Sequence, residues 1–244
     1  MFTILKKELK SYFGTPTAYL VAGIFLLINT LFLWFFDNEY NVFNLGEATL
    51  NTFYFIAPWV FLLLIPALTM RQFAEEKQLG TLDWLFTQPL KVGEVVWGKY
   101  VSVLVLILFM LVPTIIYIYT LMHFSLDKAI DLGAVFSGYL GLFLLGALYA
   151  AVGICVSAFT NNQVVAYVGS VFVCFVIYYG FQGLASYNLL GSVDYYMQQI
   201  GAEFHYNSFL KGIIDTRDFI YFIVVIMLSL LVTQFSIQKM LTKS

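Results

Sequence analysis

One stretch of the sequence has a spacing that could grip phosphates. Gly93–Glu94–Val95–Val96–Trp97–Gly98–Lys99 fits G-x-x-x-x-G-K, in which backbone N–H groups wrap phosphates, the lysine reaches them and a following hydroxyl holds magnesium. Here position 100 is Tyr rather than Ser or Thr, no strand precedes the stretch, and Trp97 would crowd a phosphate loop. The chain is therefore expected not to hydrolyse ATP by itself. His123 and His205 have no Cys, Asp or Glu at a metal-ligand spacing and read as polar tips at an interface, so no metal site is expected. Cys155 and Cys174 fall inside apolar runs and read as buried filler. There is no Ser–His–Asp set, no H-E-x-x-H and no pair of carboxylates placed for acid–base work, so no catalytic residue is expected.

The elements that would carry any site are unusual. Of 244 residues, 61% are hydrophobic and only 11% charged, and the mean hydropathy is +0.86. Soluble domains carry about 25% charge, and so few charges cannot make a polar shell. A soluble enzyme and a disordered chain are excluded, and a net charge of −2 with no basic run excludes a nucleic-acid binder. No Asp, Glu, Lys or Arg occurs in 11–36, 48–70, 100–126, 132–193 or 219–238. A helix needs about 20 residues to cross hydrocarbon. Four windows hold one span each, and the longest holds two with a reversal at Thr160–Asn161–Asn162–Gln163. The expected fold is an all-α integral membrane protein forming one domain, with spans near 18–36, 52–70, 101–122, 136–158, 165–187 and 219–238.

Six spans put both termini on one side. The segments there hold nine of the twelve basic residues and five of the fourteen acidic ones, against three and nine on the other side. The positive-inside rule makes the terminal side cytoplasmic. The first apolar run is too long for a signal-peptide core and no A-x-A site follows it, so it reads as an uncleaved span.

Three polar segments stand out. Residues 2–13 are amphipathic, with Phe2, Leu5, Leu9, Tyr12 and Phe13 on one stripe and Lys6, Lys7 and Lys10 on another. This suits a helix in the inner interface with its lysines among anionic head groups, or a simple positive-inside anchor. In 71–99, Arg71 to Gln78 favours helix, Gly80 is a stop, and Thr81 an N-cap for a short helix carrying Leu82, Leu85 and Phe86. Pro89 ends it, and another helix starts near Val92. Such a loop is either a docking surface or a set of interfacial helices. In 188–218, Val193, Met197, Ile200 and Phe204 repeat as along one amphipathic helix. Pro58, Pro66 and Pro113 are expected to kink their spans. Gly133/Ser137/Gly141, Gly146/Ala150 and Gly153/Ser157 favour close helix approach within one subunit or across a dimer. Spans without ionisable groups offer no proton relay. A sodium site made of neutral ligands stays open, and a membrane body with no power source of its own fits an outside motor that pushes on the loop.

The run from Met70 through Arg71, Glu75, Glu76, Gly80, Asp83 and Trp84 to Pro89, followed by Gly98–Lys99–Tyr100, resembles the loop of ABC-2 type transporter permeases. The opening Lys7–Glu8–Leu9–Lys10 with Tyr12–Phe13, and Lys211 to Asp218 before the last span, are similar to the same family, most of all its gliding-motility branch. The resemblance implies a coupling segment for a separate ABC ATPase at Glu75, Glu76, Gly80, Thr81, Leu82, Trp84, Leu85 and Phe86. It also implies a connecting helix bearing Lys6, Lys7 and Lys10, and an outer re-entrant gate over 188–215 with Tyr196, Phe204 and Gly212. ATP and magnesium would sit on the ATPase, with no cofactor on this chain. A second permease subunit, an auxiliary gliding-motility membrane protein and the lipid bilayer are the other implied partners. Two further readings stay open: a scaffold or assembly factor that moves no solute, and a stand-alone channel or secondary carrier.

Overall fold

Backbone groups in hydrocarbon find hydrogen-bond partners only within their own helix, and the apolar windows of this chain are helical accordingly. The computed structural model describes residues 1–45, 49–82, 90–124, 131–187 and 192–242. Among these there is no strand, and six helical stretches are long and apolar enough to span a membrane: Thr17–Phe35, Asn51–Gln78, Val92–Phe124, Leu132–Phe159, Gln163–Ala185 and Thr216–Leu241. The elements in order are α1 (Phe2–Gly14), α2 (Thr17–Thr30, continued by a π-helical turn to Phe35), α3 (Val42–Leu45), α4 (Asn51–Thr69), α5 (Arg71–Gln78), α6 (Val92–Leu111), α7 (Ile115–Phe124), α8 (Leu132–Phe159), α9 (Gln163–Phe175), α10 (Phe181–Ala185), α11 (Ser192–Ile200), α12 (Ala202–Leu210) and α13 (Thr216–Leu241).

Several spans begin a few residues before the expected bounds, because a polar residue caps the helix there. Asp131 accepts from the N–H groups of Gly133 and Ala134, at 2.9 and 3.1 Å, and starts α8. Asn162 accepts from Val164 at 2.8 Å and starts α9, so the reversal falls where the Thr–Asn–Asn–Gln cluster placed it. Asp215 does the same for α13 through the Arg217 N–H at 2.9 Å. Pro113 interrupts the third span with a 3₁₀ turn over Val112–Thr114, as expected of a residue without an N–H. At Pro58 and Pro66 the helix α4 runs on unbroken.

The fourth span is the axis of the bundle. Its most apolar window is 78% buried, against 28% in the first and last spans and 22% in the fifth. The small residues along α8 serve contacts within the chain. A Cβ on Gly153 would sit 2.1 Å from the Thr69 hydroxyl of α4, and one on Gly141 would sit 2.7 Å from Phe209 of α12.

The 192–210 segment is not one amphipathic helix. Extended backbone at Gly201 divides it into α11 and α12. Phe209, Tyr206 and Ala202 of α12 are buried against α8 and the second span. The Tyr206 hydroxyl donates to the Tyr54 carbonyl at 2.8 Å, and Ser137 donates to the Phe209 carbonyl at 2.7 Å.

Candidate functional site

Helix α5 follows α4 after the single residue Met70, and at this end of the bundle it is tied to three other helices. The hub is Lys99 of α6, only 1% exposed. Its ammonium donates to the Gln72 carbonyl at 2.7 Å, Glu76 Oε1 at 2.9 Å and Glu8 Oε1 at 3.1 Å. Three N–H donors meet three acceptors, so every donor of this buried lysine is paired. The ammonium also lies 5.1 Å from the centre of the Phe73 ring. Glu76 receives a second cation, Lys7 of α1, at 3.3 Å. One ammonium therefore joins α1, α5 and α6.

A second set of bonds fixes α5 to α8. The Ser157 hydroxyl accepts from the N–H groups of Phe73 and Ala74, at 3.1 and 3.0 Å, and donates to the Met70 carbonyl at 3.0 Å. These are backbone groups that the helix junction leaves unpaired. Lys77 donates to the Ala158 carbonyl. On the α1 side, the Tyr12 hydroxyl donates to the Leu68 carbonyl at 2.9 Å and accepts from Gln72 Nε2 at 2.6 Å. Burial, reinforced by the Glu8 carboxylate, pushes the Tyr12 hydroxyl well above its ordinary range, so it stays a donor.

The residues singled out in the sequence divide sharply. Gln78, Leu79, Gly80 and Thr81 are exposed, and Gly80 has φ of +66°, a helix-ending conformation that favours glycine. Thr81 donates back to the Glu76 carbonyl at 3.3 Å. Glu75 is half-buried and faces a cavity beside α1. Glu76 and Leu82 are not offered to a partner as a docking surface requires: the Glu76 side chain is 16% exposed and committed to Lys99 and Lys7, and Leu82 is 1% exposed. Trp84, Leu85, Phe86 and Pro89 lie outside the described residues. On α1, Lys6 and Lys10 are exposed, and of the apolar stripe Tyr12 and Phe13 pack on the core, Leu5 and Leu9 are half-buried and Phe2 is outside. Phe2 is 82% exposed while Ile4 is buried, because the ion pair at Glu8 turns the Ile4–Glu8–Tyr12 face inward.

The phosphate-loop spacing lies inside α6, where the backbone N–H groups from Glu94 onward are spent on the helix and Gly98 packs on Ile4. Lys99 is thus a structural cation, the one chemically important residue the spacing disguised. The signal available was its place at the edge of a charge-free window.

At the other end, Tyr196 is exposed, Phe204 is partly buried and Gly212, with φ of +76°, turns the chain between α12 and α13. His205 is not isolated. Its Nδ1 lies 2.6 Å from Asp218 Oδ1 and its Nε2 lies 2.8 Å from the Gln199 carbonyl, with Tyr221 stacked at 4.0 Å. The two ring nitrogens thus each face an oxygen acceptor. Its partner is 13 residues away, beyond any local spacing rule. Burial pushes the Glu203 carboxyl up, and its Oε2 has no hydrogen-bond partner among the described residues. Among the described residues, no group of three His, Cys, Asp or Glu could hold a metal.

Residues 6–202 match the family model described as ABC-2 family transporter protein. The matched stretch contains every residue of the Lys99 cluster and all of α5. No curated protein matches the chain.

Proposed function

This chain belongs to the ABC-2 family of transporter proteins, and from that premise we propose that it is the permease subunit of a gliding-motility-associated ABC transporter. In this reading it lies in a bacterial inner membrane with both termini cytoplasmic. A separate ABC ATPase binds ATP and magnesium and docks on the segment 75–86, with Gly80, Thr81, Trp84, Leu85 and Phe86 at the contact. A second permease subunit completes the path, and the assembly exports or moves a substrate.

The observation that carries this reading is the fastening of α5. A helix tied to α1 and α6 through Lys99 and to α8 through Ser157 cannot tilt alone. A push at its exposed end is handed to the second span directly, to the third through Lys99 and to the central fourth through Ser157. Packed interfaces respond to such a push by discrete shifts. Glu76 serves transmission here, and the tip beyond Gln78 serves docking.

The test is co-purification of the chain with a candidate ABC ATPase co-expressed from the same organism. Trp84→Ala or Leu85→Asp should release the ATPase, or leave it bound without response to the permease, while the membrane body stays monodisperse. An aromatic anchor is worth about 2 kcal/mol or more, which weakens docking roughly 30-fold. Unchanged retention and turnover in both variants would remove the proposal.

A further inference from the structure

Between α1, the start of the first span and the α4–α5 junction lies a cavity of about 520 Å³, inside the ~300–1,000 Å³ range of small-molecule sites. Its walls differ in chemistry. Leu20, Val21 and Leu68 form an apolar wall about a turn from the start of the first span and beside the end of α4, and Lys7, Arg71 and Glu75 form a charged one. A cavity that is apolar on its membrane side and charged at the end of the spans suits an amphiphile whose head lies at the interface.

The charges divide into spent and free. Lys99 and Lys7 are held by Glu8 and Glu76. Among the described residues, Arg71 and Glu75 form no ion pair with each other or with any other group, although they stand one helical turn apart on α5 and face the same cavity. Residues at that spacing have Cβ atoms about 5–6 Å apart. An unpaired cation and an unpaired anion at that distance match a head group carrying both charges.

Two buried acceptors on the lining residues also lack a donor. Gln72 Oε1 and Glu76 Oε2, both on lining residues, are buried without a hydrogen-bond partner. The Gln72 amide orientation is fixed, because the Tyr12 hydroxyl spends its proton on the Leu68 carbonyl and must accept from Gln72 Nε2. A primary ammonium brings three N–H donors to such a place, and a quaternary one brings none.

We propose that this cavity seats a zwitterionic aminophospholipid of the phosphatidylethanolamine class, its phosphate against Arg71, its ammonium against Glu75 and its acyl chains along Leu20 and Val21. Leu20 is 57% exposed, leaving that wall open to the chains. A choline head group lacks the donors, and an anionic glycerol head group leaves Glu75 facing net negative charge. The inference rests on the membrane placement of the spans and not on the docking of an ATPase.

The experiment uses the full chain, purified without ATPase, delipidated in detergent and offered equal amounts of phosphatidylethanolamine, phosphatidylcholine and phosphatidylglycerol with identical acyl chains. Native mass spectrometry should show the ethanolamine lipid retained in preference to the others. Arg71→Gln and Glu75→Gln, both at the rim and neither in the Lys99 cluster, should each lower that retention about tenfold, the size expected when one charge-assisted contact is lost. Soluble glycerophosphoethanolamine at the same concentration should not displace the lipid. Equal retention of the three lipids, preference for the anionic one, unchanged retention in both variants, or displacement by the soluble head group would each overturn the proposal.

Discussion

Replacing Lys99 with methionine tests whether its ammonium holds α1, α5 and α6 together. Methionine keeps an unbranched apolar stem against Phe73 and removes only the charge. Glu8 Oε1 and Glu76 Oε1, each within 3.1 Å of the same nitrogen, are then two carboxylates converging on an empty centre. Removing one partner of a buried ion pair costs about 3–5 kcal/mol. The two glutamate side chains keep 12% and 16% of their surface, and Lys7 still reaches Glu76 at 3.3 Å. That relief puts the loss at the lower end, about 3 kcal/mol. For a chain of this size 1 kcal/mol moves the melting temperature by about 2–4 °C, so Lys99→Met should melt about 6–12 °C lower in detergent. Tryptophan-fluorescence size-exclusion after heating reads this directly. Adding Glu8→Gln and Glu76→Gln should restore more than half of the loss, because an ion cluster replaced as a whole is nearly neutral in stability. A shift below about 2 °C for the single variant, or a triple variant no more stable than the single, would refute the hub.

Gly153→Ala should lower stability by about 1–3 kcal/mol through overpacking, since its Cβ would lie 2.1 Å from Thr69 Oγ1; Gly23→Ala, with open space around it, should leave the same melt unchanged. Burial raises the Glu203 carboxyl above its ordinary value of 4.5, so the fold binds a proton that the unfolded chain releases, and stability contributed below that pH is lost as pH rises through the raised value. Glu203→Gln should therefore flatten the fall of melting temperature above about pH 4.5, and identical profiles for both proteins would contradict this. In a Cys155→Ser, Cys174→Ser background, cysteines at Glu39 and Tyr196 should label from outside intact spheroplasts, and those at Gln78 and Thr242 only after permeabilisation; external labelling at Gln78 would reverse the orientation.

Much of the body is legible in the sequence because hydrocarbon leaves so few choices. A missing charge over twenty residues means a helix, and Asn162 and Pro113 act at short range in ways their chemistry dictates. What escapes is what forms between elements. Lys99 looks like a phosphate ligand or a boundary marker until Glu8, 91 residues earlier, and Glu76 are brought to it. His205 looks solitary until the turn at Gly212 returns Asp218 to its side. Leu82 and Phe2 illustrate the opposite error. Amphipathic spacing names a face without saying what covers it, so Leu82 is buried within the chain and Phe2 is left outside.

In the proposed mechanism, energy delivered to α5 reaches the helices at the far end of the bundle. This is tested most directly by placing a cysteine at the exposed position Tyr196 in the chain reconstituted with its ABC ATPase, and timing maleimide labelling from the far side with and without ATP. The labelling rate should change during ATP turnover, and should not change when Trp84→Ala or Lys99→Met is added. A rate indifferent to ATP in the parent protein, with the ATPase bound and turning over, would contradict the mechanism.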